Sequence, residues 1–153
     1  DGETALMIAS RLGNEACVRA LLSGGASPDQ AKNSGETALM MASRGGMEAC
    51  VRALLSGGAS PDQAKEDGET ALMLASSGGN AACVCALLSG GASPDHAKNG
   101  GETALMIATY RSDEACVRAL LSGGASPDQA KNSGETALMM ASRGGMEACV
   151  RAL

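Results

Sequence analysis

Aromatic residues are almost absent from this sequence. Its 153 residues include one Tyr, no Phe and no Trp, although apolar residues make up 44% of the chain. That apolar content argues against disorder, because disordered segments bury too little apolar surface to fold. Aromatic side chains normally supply much of the buried area of a globular core. A core of Ala, Leu, Val, Met and Cys indicates small, closely spaced elements instead.

Positive charge is also limited. The chain carries 12 Lys and Arg against 17 Asp and Glu, which gives a formal net charge of -5. Nucleic acids and anionic membrane surfaces are bound by basic faces, so we expect neither as a partner. No apolar run approaches the roughly 18 residues of a membrane span, and the opening Asp-Gly-Glu does not resemble a signal peptide. The sequence therefore predicts no membrane insertion.

Residues that could carry catalysis or hold a metal are few. His96 is the only histidine, and no partners with suitable spacing accompany it, so we interpret it as a solvated loop residue. The segment Gly-Gly-Ala-Ser recurs at a constant spacing, which indicates a helix stop rather than a phosphate-binding loop. We expect a protein that is not an enzyme, with no cofactor, no metal and no small-molecule substrate.

What the sequence does contain is a repeat. The string Gly-Glu-Thr-Ala-Leu-Met begins every 33 residues, at Gly2, Gly35, Gly68, Gly101 and Gly134. A fixed period of this length is typical of solenoids. We predict a single domain, residues 1–153, made of four full units and a partial fifth: 1–33, 34–66, 67–99, 100–132 and 133–153.

Two short helices and a loop are predicted in each unit. Thr4 can cap a first helix over residues 5–10, and Gly13 can adopt the left-handed conformation that stops it. Asn14 can cap a second helix, which a Gly-Gly pair ends. Isolated helices need roughly 12–15 residues to be stable, so these helices depend on the stacking of apolar faces between units. In the fourth unit Ser112 replaces the stopping glycine.

The unit resembles the ankyrin repeat. It shares the 33-residue length, a Gly-x-Thr-x-Leu start, a glycine in mid-unit and a Val-x-x-Leu-Leu-x-x-Gly-Ala segment, which occupy Gly2, Thr4, Leu6, Gly13, Val18, Leu21, Leu22, Gly25 and Ala26. The resemblance implies an all-α ankyrin-repeat solenoid of stacked helix-turn-helix units with protruding hairpin-like loops. It also implies a non-catalytic scaffold for protein–protein interaction.

The unit departs from the family pattern in two places. The family's Thr-Pro-Leu-His is Thr-Ala-Leu-Met here, and Met7 is expected to make none of the hydrogen bonds that the histidine makes. The family's Asp-Val-Asn is Ser27-Pro28-Asp29, which leaves the geometry of that turn open. We therefore expect this array to depend more on packing.

In the ankyrin family, partners dock on the loop tips and on the exposed end of the first helix, which form a concave face. The resemblance places partner-binding residues at Arg11, Leu12, Glu36, Arg44, Glu66, Asp67, Glu69, Ser77, Glu102, Tyr110, Arg111 and Arg143. Differences between the units concentrate in this region. Tyr110 is the only aromatic residue and stands beside Arg111, and both residue types are frequent in hot spots. The alternative is that unselected changes have accumulated at exposed positions.

Self-assembly is the alternative function. Near-identical units create near-identical interfaces, and neither terminal unit has the polar sequence of a cap. Head-to-tail contacts of this kind can propagate into filaments, with copies of the chain as partners instead of another protein. For this function we expect an end face on the first unit formed by Leu6, Met7, Ala9, Leu21 and Leu22.

Five of the six cysteines recur at one position in the apolar stripe of the second helix and are expected to be buried: Cys17, Cys50, Cys83, Cys116 and Cys149. Neighbouring copies are expected about 10 Å apart, whereas a disulfide needs Cα atoms within about 7 Å. Free thiols are typical of a reducing compartment, so we expect an intracellular, cytoplasmic protein. Cys85 stands where other units have an arginine of a Glu-Arg pair and is expected to be exposed.

Overall fold

The computed structural model describes residues 2–153, and Asp1, at the start of the first predicted unit, lies outside the described part. Ten α-helices follow one another in the described residues, with no strand among them. They are α1 (Ala5–Arg11), α2 (Glu15–Ser23), α3 (Ala38–Arg44), α4 (Glu48–Ser56), α5 (Ala71–Ser77), α6 (Ala81–Ser89), α7 (Ala104–Tyr110), α8 (Glu114–Ser122), α9 (Ala137–Arg143) and α10 (Glu147–Ala152). The predicted all-α class is confirmed.

A threonine begins every first helix. The Thr4 hydroxyl accepts a hydrogen bond from the backbone N–H of Met7 at 3.2 Å, and its equivalents accept the same bond at 3.3 to 3.5 Å: Thr37, Thr70, Thr103 and Thr136. The predicted cap is therefore confirmed. The expectation that Met7 makes none of the histidine's hydrogen bonds is wrong for the bond to the threonine, because its Sδ accepts from the Thr4 backbone N–H at 3.5 Å. A thioether sulfur is a weak acceptor, so this bond replaces only part of what a histidine provides.

One backbone position after each first helix is left-handed. Gly13 has φ +74° at this position, and Ser112 has φ +56° at the equivalent position of the fourth unit. The predicted helix stop is confirmed. Glycine adopts this conformation without a steric penalty, whereas the Cβ of Ser112 makes it unfavourable.

The predicted side-chain cap of the second helix is wrong for Asn14. Its side chain makes no capping hydrogen bond to α2. Asp113 does cap at the same position before α8, where its Oδ1 accepts from the Cys116 N–H at 2.9 Å. Asn80, before α6, instead donates its side-chain amide to the Ser43 carbonyl of the preceding unit at 3.0 Å. An amide at this position can therefore join neighbouring units instead of capping its own helix.

The helices stack in two rows. Each first helix packs against the second helix of its own unit and against the first helix of the next unit, while the second helices form their own row. The core repeats at each level, and its methionines and valines in the inner units are at most 1% exposed: Met40, Met73, Met106, Val51, Val84 and Val117. Stacking thus supplies the buried area that helices of six to nine residues lack alone.

The loops between units are hairpin-like, as predicted. The Lys32 N–H donates to the Glu36 carbonyl at 3.0 Å, and the same bond recurs from Lys65, Lys98 and Lys131. Three loops also contain an antiparallel bridge: Ala64 with Thr70, Ala97 with Thr103 and Ala130 with Thr136. Neighbouring loops are linked to one another, since the Asn99 N–H donates to the Asp67 carbonyl at 2.9 Å. The loop tips are therefore ordered relative to one another.

Candidate interaction surface

The glutamate before each threonine cap and the last residue of the following helix lie on the same side of the solenoid. Glu36 shows this arrangement, because its carboxylate pairs with Arg44 at the end of α3. We call this surface the loop-side face. It is formed by Glu3, Glu36, Glu69, Glu102 and Glu135 together with the helix-end residues Arg11, Arg44, Ser77, Tyr110 and Arg143.

Two units contain a three-membered ion-pair cluster on this face. At the start of the second unit, Lys32 of the preceding loop places its Nζ 2.5 Å from Glu36 Oε2, while Arg44 pairs with Glu36 Oε1. The fifth unit repeats the arrangement with Lys131, Glu135 and Arg143. Both carboxylate oxygens are engaged by cations of the chain itself. We call each such cluster a triad.

The triads shift the ionisation of their carboxylates. Burial opposes the charge of Glu36, but hydrogen bonds and positive charge from Lys32 and Arg44 outweigh it and lower the pKa of Glu36 to about 2. The hydrogen bond from Lys131, with a contribution from Arg143, likewise lowers the pKa of Glu135. Both glutamates are therefore ionised at neutral pH, with their charge already compensated.

The third and fourth units leave the arginine position of the triad open. Oε2 of Glu69 and Oε2 of Glu102 each lie 2.6 Å from the lysine four residues earlier. Ser77 and Tyr110 stand where the other units have arginine. Within residues 2–153, no arginine and no second lysine forms an ion pair with Glu69 or Glu102. Each of these carboxylates is thus paired with one cation instead of two.

Tyr110 projects from this face into solvent. Its side chain is 73% exposed. It borders a pocket of about 420 Å³ between the fourth and fifth units, together with Glu102, Met140 and Arg143. Arg111 follows at the end of α7 and is also exposed. An exposed aromatic ring beside an arginine and a shallow pocket is a suitable anchor point for a partner side chain.

The predicted partner-binding residues do not all lie on an accessible part of this face. The exposed loop tip of Glu66 and Asp67 adjoins it, because Asp67 lies 3.6 Å from the lysine that pairs with Glu69. Glu36 is only 7% exposed and is covered by its own triad, which corrects the expectation that it is available to a partner. Leu12 is 57% exposed and also lines a pocket at the end of the first unit.

The second helices carry Glu-Arg pairs spaced four residues apart. The charged atoms lie 2.5 to 2.9 Å apart in the pairs Glu15–Arg19, Glu48–Arg52, Glu114–Arg118 and Glu147–Arg151. Helix α6 has Ala81 and Cys85 at these positions, and Cys85 is exposed as predicted. The face opposite the loops is therefore charged and internally paired except in the third unit.

Four of the repeated cysteines are buried as predicted: Cys50, Cys83, Cys116 and Cys149. Burial raises the pKa of Cys83 to about 11, and burial together with the nearby Asp113 raises that of Cys116 to about 12. The prediction is wrong for Cys17, which is exposed because no preceding unit covers its side of α2. All six thiols are free.

The predicted end face of the first unit is corrected for the residues that are buried or face the second unit. Leu6, Met7 and Ala9 are 3%, 0% and 6% exposed and belong to the core. Leu22 borders a groove that it shares with Ala53 and other residues of the second unit. These residues face into the solenoid because the helix pair turns their side toward the following unit.

Apolar side chains are accessible at the two ends. A pocket of about 540 Å³ on the first unit is lined by Ala9 and Leu21 of the predicted set, together with Ala5, Ile8, Leu12 and Cys17 among others. On the fifth unit, Leu138, Met139 and Val150 are 44%, 54% and 37% exposed. Their equivalents in the second unit are at most 2% exposed, because the third unit covers them: Leu39, Met40 and Val51.

The triads were not found by sequence reasoning. The available signal was the constant spacing of a lysine, a glutamate four residues later and, in some units, an arginine eight residues after that. The threonine cap turns the chain between Glu36 and α3, so the spacing from Glu36 to Arg44 does not correspond to a single helix face. The contact is therefore visible only in the folded chain.

Two further features of the described part of the chain concern other kinds of site. No helix in it is long and apolar enough to cross a bilayer. No three His, Cys, Asp or Glu side chains among residues 2–153 come close enough together to hold a metal ion. His96 lies half-buried in its loop.

Comparison with curated proteins gives no significant match. Comparison with protein families matches ankyrin repeats, described as present in three copies, over residues 1–65, 57–130 and 72–153. These overlapping segments include all of the stacked helix pairs. Ankyrin repeats generally serve as protein–protein interaction modules. The chain therefore belongs to the ankyrin repeat family.

Proposed function

We propose that this chain is a non-catalytic scaffold that binds another protein on its loop-side face, centred on the third and fourth units. The observation that carries the proposal is Tyr110, the single aromatic side chain, which is 73% exposed beside a pocket of about 420 Å³. A folded protein gains little by holding a large ring in water. Such a ring gains most when a partner covers it.

The charge distribution supports the same location. Arg44 and Arg143 are paired with glutamates of the chain itself, so they have less to offer a partner. In the middle units, Glu69 and Glu102 each pair with one lysine and with no arginine, and Arg111 is exposed. Among the described residues of this face, only the third and fourth units combine glutamates that lack an arginine partner with an exposed aromatic ring.

Selection of binders tests this proposal. A library of displayed peptides is selected on the immobilised chain, and the selected peptides are then measured against variants. Tyr110→Ala is expected to weaken their binding at least tenfold, since truncating a hot-spot residue typically costs about 2 kcal/mol or more. Arg52→Ala, on the opposite face, is the control and is expected to leave binding within about twofold. Binding that depends on Arg52 but not on Tyr110 contradicts the proposal.

A reducing, cytoplasmic location accompanies this function in our proposal. The six cysteines form no disulfide in the described structure, and Cys85 and Cys17 are exposed. Exposed thiols on an extracellular protein are prone to oxidation and exchange, whereas a reducing compartment preserves them.

Head-to-tail self-association is a second candidate function. The exposed Leu138, Met139 and Val150 of the last unit are the side chains that a following unit covers inside the solenoid. The first unit presents the matching side, with Ile8 41% exposed in an apolar pocket. A second copy placed in the same register would bury both faces and repeat the inner interfaces.

Cys17 provides a reporter for this second candidate. Association through the end faces is expected to slow labelling of Cys17 as protein concentration rises, while Cys85 stays equally reactive. Light scattering should show the mass rising in parallel. Met139→Lys is expected to abolish both effects without unfolding the chain, because Met139 is 54% exposed. A constant mass and a constant labelling rate of Cys17 would rule out this function.

A further inference from the structure

We propose that the partner presents two arginines to the loop-side face, which pair with Glu69 and Glu102 and complete the triads that the chain leaves open. This inference rests on the proposed partner-binding function and names the chemistry of the partner. It is argued from the way in which the other units of the same chain use the same glutamate.

The chain itself shows which ligand this carboxylate oxygen takes. In the second and fifth units, Oε1 of the glutamate pairs with Arg44 or Arg143, while Oε2 takes the lysine. In the first unit, Arg11 Nε lies 3.5 Å from Oε1 of Glu3. Every unit that has an arginine at the helix end therefore places it at the same oxygen. Glu69 and Glu102 offer that oxygen with no arginine present.

The two open glutamates are more accessible than the glutamates of the two triads. The side chains of Glu36 and Glu135 are 10% and 13% exposed, because their arginines cover them. Those of Glu69 and Glu102 are 20% and 34% exposed. A cation arriving from a partner can therefore reach these carboxylates, and it need not displace a side chain of the chain.

Most of the cations around this site are already engaged by carboxylates of the chain. The charged groups here are the carboxylates Glu66, Asp67, Glu69, Glu102 and Glu135 and the cations Lys65, Lys98, Arg111, Lys131 and Arg143, of which Lys131 and Arg143 pair with Glu135. Lys65 and Lys98 are paired with Glu69 and Glu102. The hydrogen bond from Glu102 raises the pKa of Lys98, and the charges of Glu69 and Asp67 in the preceding loop add to this effect. Carboxylates of the third and fourth units thus act together on Lys98.

Arginine suits this site better than lysine. A guanidinium is planar and forms directional pairs with carboxylates, whereas an ammonium group acts as a strongly hydrated point charge. The ring of Tyr110 stands in the arginine position beside Glu102 and offers a flat surface on which a guanidinium can stack. The arginine positions beside Glu69 and Glu102 therefore favour partner side chains that are both positively charged and planar.

The repeat also sets the spacing of the two arginines. Glu69 and Glu102 are equivalent residues of adjacent units, whose helices pack about 8–10 Å apart. A polyproline II segment has three residues per turn and rises about 3.1 Å per residue, so residues three apart project to the same side about 9 Å from each other. The partner segment that matches is therefore Arg-x-x-Arg in an extended, polyproline II conformation.

A short peptide tests the proposal directly. The probe is fluorescein-labelled Ala-Pro-Arg-Pro-Pro-Arg-Pro-Ala, and its binding to the full chain is followed by anisotropy at low ionic strength, because salt screens exposed ion pairs. Three control peptides replace both arginines with citrulline, replace both with lysine, or insert one more proline between them. We expect the arginine peptide to bind about tenfold more tightly than the citrulline peptide, and the other two to lie between them.

Restoring the missing arginines provides the matching chain variants. Ser77→Arg with Tyr110→Arg places in the third and fourth units the residue that the second and fifth units already have, so both triads close from within. This double variant is expected to lose binding of the arginine peptide about tenfold. Ser77→Arg alone keeps the tyrosine ring and is expected to lose part of the affinity. Cys85→Arg adds the same charge on the opposite face, also at a position where other units have arginine, and is expected to change nothing.

The outcomes separate this inference from the function on which it rests. Equal binding of the arginine and citrulline peptides, or undiminished binding to the double variant, overturns the arginine assignment. If displayed peptides without arginine still depend on Tyr110, the loop-side scaffold stands and only the assignment fails. If no selected peptide depends on Tyr110, the scaffold proposal fails as well.

Discussion

Asp29 and Ser60 belong to neighbouring units and are joined by two hydrogen bonds. The Ser60 backbone N–H donates to Asp29 Oδ1 at 2.8 Å, and its hydroxyl donates to Oδ2 at 2.6 Å. The backbone bond recurs at 2.8 Å from Ser93 to Asp62 and from Ser126 to Asp95. The turn that departs from the family pattern therefore connects each of the first three units to the next.

Replacing one of these aspartates is expected to destabilise the array. Asp29→Ala removes the acceptor of two hydrogen bonds, so the free energy of unfolding should fall by about 1–2 kcal/mol, measured by urea denaturation. Asp128→Ala is the matched control, because no hydrogen bond from residues 2–153 reaches the side chain of Asp128. Its effect should stay below about 0.5 kcal/mol. Equal losses in the two variants would show that the turn acts within its own unit.

Ser112→Gly is expected to stabilise the chain by roughly 1 kcal/mol. Ser112 is the one non-glycine residue with positive φ among those described, at +56°, and glycine removes the steric cost of its Cβ. Thermal unfolding of Ser112→Gly and of Ser112→Ala provides the comparison, since alanine keeps the Cβ and should bring no gain.

The reverse substitution checks the same backbone position. Gly145 has φ +64°, and a Cβ added there meets no atom within 4 Å. Gly145→Ser therefore introduces only conformational strain and should lower stability by a similar amount. A neutral effect at Gly145 together with no gain at Ser112 would contradict the strain.

The triad of Glu36 makes stability depend on pH in the acid range. The pKa of Glu36 is about 2 in the folded chain against an ordinary value of 4.5. Because the unfolded chain binds a proton first, the stabilisation is fully present above about pH 4.5 and is lost as pH falls toward 2. Its size is about 3 kcal/mol at neutral pH.

Glu36→Gln tests this dependence. At pH 7 the variant should be less stable than the parent by about that amount, and the difference between them should shrink steadily between pH 5 and pH 2. Glu102→Gln loses one ion pair instead of two, so its cost at neutral pH should be smaller. A Glu36→Gln deficit that stays constant down to pH 2 is incompatible with a carboxylate held by the triad.

Thiol labelling of the folded chain should proceed in two stages. Cys17 and Cys85 are exposed and are expected to react rapidly, whereas Cys50, Cys83, Cys116 and Cys149 should react only as the chain unfolds. Burial also raises the pKa of Cys83 and Cys116, which lowers their thiolate fraction. Mass spectrometry of the dilute chain after brief labelling should find two modified cysteines, and Cys17→Ser should reduce the number to one. Early modification of Cys83 would contradict the packing between α6 and its neighbours.

The chemistry of single residues predicted several backbone and capping features that lie within one unit. The Thr4 cap, the left-handed Gly13 and the equivalent Ser112 follow from the chemistry of single residues, and the structure has them. Features that depend on the neighbouring unit were missed. Cys17 has the same local sequence as Cys50, and it is exposed because no helix among residues 2–153 packs on that side of α2. The hydrogen bond that Ser60 donates to Asp29 likewise joins two units. The repeat period predicts that an aspartate and a serine recur in each unit, but not that they bond to each other.

The near absence of aromatic residues has an optical consequence. Since Tyr110 is the only aromatic side chain, all near-ultraviolet absorption and intrinsic fluorescence of the aromatic kind arises from one point on the loop-side face. The ring is exposed in the folded chain, so unfolding changes its surroundings little, whereas a partner that covers it replaces water on both of its faces. The emission of this protein therefore reports occupancy of the proposed binding surface while remaining nearly silent about the state of the core.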